Sequence, residues 1–241
     1  MLRCLPAALS AAGLLLAISG CAHSPSYDPE DPLEKVNRRI FAVNLKADQY
    51  LLRPVATSYV RVLPDSARLA VRNFFENFLY PTTIANDFLQ GKLEQGGEDS
   101  LRFALNSTIG LAGFLDVATG QGFERHDEDL GQTFGKWGFG QGWYLMLPLL
   151  GPTTNRDLVG RIGDSWTETL QYVSPVTTLD RLGFYSAQQI DHRGRLLKTD
   201  HVMHEQLDPY VFVRTAYLDY RQNLVFDGNP PDDISTVDEP Q

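Results

Sequence analysis

Apolar positions recur along this chain with helical spacing. In "DPLEKVNRRIFAVNLKADQY", Leu33, Val36, Ile40, Val43, Ala47 and Tyr50 follow one another at intervals of three and four, which places them on one face of a helix. Asp31 as N-cap, Pro32 at the first helical position and Glu34 three residues after the cap form a capping-box arrangement. That helix is expected to end before Arg53-Pro54. A second, with Leu69, Val71, Phe74, Phe75, Phe78 and Leu79 as its apolar positions, starts near Asp65 and is expected to stop at Tyr80-Pro81. A short third covers Thr82 to Gln90, closed by Gly91. Further helices are predicted over Glu98 to Ile109 beyond the Gly96-Gly97 break, Arg156 to Tyr172, Leu179 to Gln189, and Asp208 to Leu224, the last repeating the Asp-Pro opening. There is no sustained period-two alternation, internal repeat or heptad array, so the predicted class is mainly α.

Two glycine-rich apolar segments interrupt this pattern. "GLAGFLDVATGQG" has too many glycines for a clean helix and too many apolar residues for an ordinary surface loop. "KWGFGQGWYLMLPLLGPTTNRD" spaces glycines at 138, 140 and 142 ahead of an apolar run broken by Pro148.

The ends of the chain change the picture from fold to address. Arg3 is the only charge in the first twenty residues, and an Ala/Leu-rich segment from Ala7 to Ile18 leads into Ile18-Ser19-Gly20-Cys21. This reads as an export signal, and its end resembles the bacterial lipobox, in which the cysteine, here Cys21, carries the lipid. The segment is shorter than the roughly 20 apolar residues a spanning helix needs. The only other cysteine, Cys4, lies inside the signal, so no disulfide framework is expected. The expected organisation is a signal over 1–20, a lipid-anchored tether over 21–30, one helical domain over 31–226 and an acidic, Pro-rich disordered tail over 227–241. Acidic residues outnumber basic ones by 30 to 21, which argues against nucleic acid as a partner.

Candidate catalytic chemistry is thin. Gly138-Phe139-Gly140-Gln141-Gly142 places its third glycine too early for a dinucleotide fingerprint, and no capped helix follows. Gly163-Asp164-Ser165 resembles the nucleophile block of GDS-type esterases, but Ser165 sits mid-chain in a helical pattern without the late Asp-x-x-His. "DHVMHEQ" offers His201 and His204 without a third strong metal ligand, and "ERHDED" reads as a solvated turn or a weak cation site. No catalytic residue, metal or cofactor is expected.

Five ordered blocks carry a resemblance. They are Asp31-Pro32-Leu33-Glu34 with Asn37-Arg38, Phe41, Asn44 and Leu52-Arg53-Pro54-Val55-Ala56; Asn73-Phe74-Phe75, Asn77, Pro81 and "NDFLQGK"; Phe103, Asn106, Gly110, Gly113-Phe114 and Asp116-Val117-Ala118; Glu128, Gly131 and Thr133 with "KWGFGQGWYLMLPLLGPTTNRD"; and Asp208-Pro209-Tyr210, Arg214, Ala216-Tyr217 and Arg221. Together, after a lipobox, they resemble the MlaA (VacJ) family of outer-membrane lipoproteins from Asp31 to about Leu224. Trp143 departs from the pattern, standing where the family has proline.

The resemblance implies a compact ring of helices, partly embedded in the inner leaflet of the outer membrane, around a central amphipathic channel. It also implies removal of phospholipids misplaced in the outer leaflet, trimeric porins and a soluble periplasmic lipid carrier as partners, and a lipid-anchored location on the periplasmic side, Ala22 rather than Asp following the lipobox cysteine. On this reading Trp137, Gly138, Gly140, Gly142, Trp143, Tyr144, Leu145, Leu147 and Pro148 face the channel or lipid, with Trp137, Trp143 and Tyr144 suited to the headgroup boundary. Leu111, Phe114, Leu115 and Val117 are expected at a membrane or porin contact. Arg156, Asp157, Arg214 and Arg221 meet headgroups or form structural ion pairs. The rival readings are an envelope scaffold and a GDS-type lipid hydrolase using Ser165.

Overall fold

A computed structural model describes residues 28–167 and 177–231. The signal, Cys21 and most of the tether lie outside the described residues, as do Tyr172 and most of the tail. The order is α1 (Glu34–Ala47), a π-helical turn (Asp48–Leu52), α2 (Arg53–Val62), α3 (Asp65–Leu89), α4 (Leu93–Thr108), α5 (Leu130–Lys136), β1 (Tyr144–Leu147), β2 (Gly151–Thr154), α6 (Asn155–Asp164), α7 (Thr178–Leu196), α8 (Asp200–His204) and α9 (Pro209–Val225). The mainly α expectation holds, with one antiparallel hairpin added, Tyr144 opposite Thr154 and Leu147 opposite Gly151.

Several helix boundaries differ from the sequence expectation, each for a local reason. Asp31 does not cap α1. Its carboxylate is buried, accepting from Asn37 Nδ2 at 2.7 Å and from the Tyr210 hydroxyl, so a tertiary role displaces the cap. Pro54 does not end the helix, because the π-turn Asp48–Leu52 widens the backbone just before it and α2 continues. Pro81 likewise lies inside the 25-residue α3, which merges the second and third predicted helices. Gly96 and Gly97 fall within α4 instead of breaking it. At Gly96 an added Cβ would lie 3.0 Å from the Phe88 ring, so the glycine permits α3 and α4 to close on each other as a hairpin. The helix predicted over Arg156 to Tyr172 stops at Asp164, while α7 extends seven residues beyond Gln189, its start fixed by a Thr177–Asp180 capping box.

The hairpin is tied to α1 by two asparagines two helical turns apart. Asn37 Nδ2 donates to the Tyr144 carbonyl at 3.1 Å and its Oδ1 accepts from Met146 N–H at 3.0 Å. Asn44 does the same with the Leu147 carbonyl and Leu149 N–H, both at 2.8 Å. Each side-chain amide imitates a neighbouring strand, so the outer edge of β1 is satisfied without one. Tyr144 and Met146 point inward against Tyr210, a consequence of strand alternation. The expected headgroup-boundary position of Tyr144 is therefore corrected: the side chain is fully buried.

The ends of the predicted domain shift slightly. Asp28 pairs with Arg214 at 2.9 Å, and the Glu30 carbonyl accepts from Tyr144 N–H at 2.7 Å, which joins the last tether residues to the folded body. Asp227, expected to begin the tail, pairs with Lys92 and lies 3.1 Å from Lys136 Nζ.

Candidate functional site

The distribution of side chains is inverted relative to a water-soluble domain. Among the described residues, eight hydrophobic side chains are buried against seventeen polar or charged ones, while thirty-two large hydrophobics are exposed. Scattered exposed leucines are ordinary, but a polar interior beneath an apolar exterior is not.

Most of the polar interior is hydrogen-bonded, with Asp87 Oδ2 and the Tyr144 hydroxyl among the few buried atoms without a hydrogen-bond partner. Arg102 donates to Thr119 and the Phe123 carbonyl, and pairs with Asp116 at 2.7 Å, while Asn106 accepts from Ala118 N–H at 3.0 Å. Tyr80 donates to Asp99 at 2.6 Å, and His126 Nδ1 lies 3.1 Å from the same carboxylate. Beside them, Asp87 accepts from Gln95 at 2.7 Å. Burial first, and the neighbouring Asp99 carboxylate second, push the Asp87 carboxyl up to about 7. An unfolded Asp ionises near pH 4, so stability is fully present below that pH and is lost as pH rises from about 4 to about 7. Replacing Asp87 with Asn keeps the hydrogen bonds and removes the charge. Thermal melts should show a gain of about 1–2 kcal/mol at pH 8, roughly 5 °C in Tm, with little change at pH 4. Equal shifts at both pH values would contradict this.

Between α3, the segment 124–129, the end of α6 and α7 lies a cavity of about 420 Å³. Glu76 and Tyr80 border it from α3, Arg125 and Asp127 from the loop, Asp164 from α6, and His192 and Arg195 from α7. Glu76 pairs with Arg125 and lies 3.5 Å from Arg195. Arg125, Asp127 and His192 are all exposed to solvent. Even so, burial raises the Asp127 carboxyl and lowers the His192 imidazole from their usual ranges. Groups that touch water yet feel its partial withdrawal are those lining a wet space walled by protein. A smaller polar cavity adjoins it, sharing Glu76, Tyr80 and Arg125.

The segment expected to line a passage lies elsewhere. None of Trp137 to Pro148 borders this cavity. Trp137 and Trp143 are each about half exposed, the Trp137 indole donating to the Leu89 carbonyl at 3.1 Å. Leu145 and Leu147 are half-buried and Pro148 is exposed, while Leu149 and Leu150 at the hairpin tip are 78% and 66% exposed. Gly138 needs its positive φ of 90°, whereas Gly140 has open space around it. Gly142, at φ 71°, leaves an added Cβ 3.1 Å from Asn155.

In the other glycine-rich segment, Leu111, Phe114 and Leu115 are exposed and Val117 is half-buried. Phe114 stacks on Phe74 at 4.9 Å, and Gly113 sits so close over Asn77 that no Cβ fits. The arginines on α9 meet acids. Arg214 pairs with Asp28 and Asp31, and Arg221 bridges Asp129 at 2.5 Å and Asp157 at 2.9 Å. Arg156 lies 3.2 Å from Asp157, whose other oxygen accepts from Tyr217 at 2.9 Å. The Ser165 hydroxyl donates to the Ile162 carbonyl at 2.7 Å. Asp200 in α8 pairs with Arg193 at 2.9 Å and with Arg53 at 3.2 Å, and His201 Nδ1 lies 3.1 Å from the Lys198 carbonyl oxygen.

Sequence reasoning missed the cavity's charged residues. In sequence "ERHDED" reads as a solvated turn or a weak cation site, and the available signal for Glu76 is that it interrupts an aromatic stretch, "NFFENF", where a charge needs a partner.

Comparison with known proteins agrees with the geometry. The family model described as MlaA lipoprotein matches residues 29–224. A relative in Escherichia coli K12, named intermembrane phospholipid transport system lipoprotein MlaA, is 34% identical over 87% of this chain and 84% of its own length. The Haemophilus influenzae protein of the same name is 29% identical, covering 91% of this chain and 93% of that protein. A solved structure concerned with maintenance of bacterial outer membrane lipid asymmetry superposes with a TM-score of 0.73 at 34% identity, covering 81% of this chain and 98% of that one. The chain belongs to the MlaA lipoprotein family.

Proposed function

We propose that this chain is the lipoprotein component of an intermembrane phospholipid transport system. It lies in the inner leaflet of the outer membrane, anchored through Cys21 on the periplasmic side, and takes misplaced phospholipid from the outer leaflet toward a soluble periplasmic carrier. The observation that carries this reading is the inverted interior: exposed Val, Leu, Phe and Trp outside, bonded polar groups and a wet charged cavity inside. Apolar side chains facing acyl chains lose nothing by exposure. A phosphate headgroup crossing hydrocarbon forfeits its hydration at a cost of many kcal/mol, and a polar passage removes most of that cost. The hairpin tip, Leu149 and Leu150, and the exposed Leu111, Phe114 and Leu115 are the segments best suited to acyl chains or to the apolar wall of a trimeric porin. No bond is made or broken in such a passage, so the reading needs no cofactor.

All three tryptophans, Trp137, Trp143 and Trp166, are exposed and report directly on the surroundings. In liposomes, lipids brominated along the acyl chain should quench their fluorescence strongly, and an aqueous quencher weakly. In cells, removing the chain should raise the phospholipid that an added phospholipase can reach at the surface, and the wild-type chain should reverse that rise. Tryptophans quenched only from water, or an unchanged outer leaflet, would sink the proposal.

A further inference from the structure

The charged cavity carries more information than its polarity. Most of its charges are already committed to partners inside the protein. Glu76 holds Arg125, Glu128 accepts from Lys92 at 2.7 Å, and Asp129 is bridged by Arg221. Asp164 accepts from Asn86 Nδ2 and from Leu130 N–H, each at 2.9 Å.

Two groups of opposite sign are less tightly held. The Arg195 guanidinium keeps only long ion pairs, 3.5 Å to Glu76 and 3.6 Å to Asp191, and donates no hydrogen bond of ordinary length, so its donors are available to a closer acceptor. The Asp127 carboxylate accepts no hydrogen bond from any described residue. No cation of the described residues lies within ion-pair distance of it, and burial raises this carboxyl with the Arg125 charge offsetting the shift only in part. A cavity of about 420 Å³ falls in the range of ligand sites, about 300–1,000 Å³.

Resting on the conduit reading above, we infer that this cavity is a headgroup site selective for a zwitterionic phospholipid bearing a primary ammonium, with the phosphate on Arg195 and the ammonium on Asp127. An open guanidinium suits phosphate oxygens, and an unpartnered carboxylate suits an N–H cation. A quaternary ammonium offers no N–H and is held by cages of Trp, Tyr or Phe faces, of which the lining has a single example, Tyr80. An anionic glycerol headgroup would satisfy Arg195 and leave Asp127 unmatched among surplus acids.

The test uses the full-length lipoprotein in detergent, incubated with equimolar phosphatidylethanolamine and phosphatidylglycerol of identical acyl chains, followed by mass spectrometry of the lipid that stays bound. The wild type should retain phosphatidylethanolamine about tenfold over phosphatidylglycerol, the size expected of one charge-assisted contact. Asp127→Asn should bring the ratio close to one, whereas the exposed Asp219→Asn should leave it unchanged. Arg195→Gln should lower retention of both lipids alike. If Asp127→Asn fails to fold, wild type offered phosphatidylethanolamine against its N-acetylated form reads the same contact, with the unmodified lipid again about tenfold ahead. Lipid bound without preference, or a preference indifferent to Asp127 and to N-acetylation, would overturn the inference and leave the conduit standing. No lipid bound by any form would overturn both.

Discussion

Gly160→Ala should lower the melting temperature by roughly 6–12 °C, a cost of about 3 kcal/mol. Helices α5 and α6 cross at Gly131 and Gly160. A Cβ added at Gly160 would lie 2.4 Å from the Gly131 nitrogen and 2.7 Å from its Cα. Those atoms are backbone, so no rotamer change can relieve the overlap and the two helices must separate. Separation reaches beyond the helix pair, because a Cβ at Gly131 would lie 2.7 Å from both Arg221 Nη2 and Asp157 Oδ1, the ion cluster that joins α5, α6 and α9. Gly97→Ala is the matched comparison. It lies in α4 with no atom within 4 Å of its would-be Cβ, and should stabilise by about 0.5–1 kcal/mol through helix propensity alone. Circular dichroism melts of both variants in one detergent settle the matter. A Gly160→Ala protein that melts with the wild type would mean the helices do not cross this tightly.

These glycines also mark how far the sequence could be read. Helical periodicity located α1, α3, α7 and α9, since the apolar stripe of a helix has the same spacing whether it faces a core or a lipid. Periodicity could not say which of those two it faced, and only four of the twelve stripe residues, Val36, Val43, Tyr50 and Leu69, proved exposed, while Phe75 is buried and the rest are half-buried. Breakers misled where tertiary structure compensates. Pro54 follows a π-turn and Pro81 continues inside α3, and Gly96 is present for a close approach to Phe88 rather than to end a helix.

The acidic Asp-Pro opening at Asp31 and that at Asp208 read alike, yet only Asp208 caps its helix, accepting from Tyr210 and Val211 N–H at 3.0 and 3.3 Å. The difference is that the Asp31 carboxylate is taken by Asn37, six residues on, and by Tyr210, 179 positions away, the second of which no local reading supplies. The cavity escaped for the same reason: Glu76, Asp127 and Arg195 are unremarkable in their own neighbourhoods and acquire a meaning only when α3, the 124–129 loop and α7 meet.

Arg221→Met should destabilise the protein by about 2–4 kcal/mol near neutral pH, a Tm loss of roughly 10 °C, because it strands the buried Asp157 carboxylate beside the partly solvated Asp129. Arg221 is 7% exposed and Asp157 3%. The guanidinium donates to Asp129 at 2.5 and 2.8 Å and to Asp157 at 2.9 Å. Burial alone would raise the Asp129 carboxyl, but the Arg221 hydrogen bonds outweigh it and hold the group below the usual carboxylate range. A depressed carboxyl contributes stability above its unfolded value near pH 4 and loses it as pH falls through the lower folded value. The gap between wild type and Arg221→Met should therefore be full at pH 7 and close in acid. Asp157→Asn added to Arg221→Met should recover part of the loss, since it removes one stranded charge. If Arg221 instead served mainly as a headgroup contact, the single variant would melt near wild type while losing bound lipid, and the double variant would recover nothing.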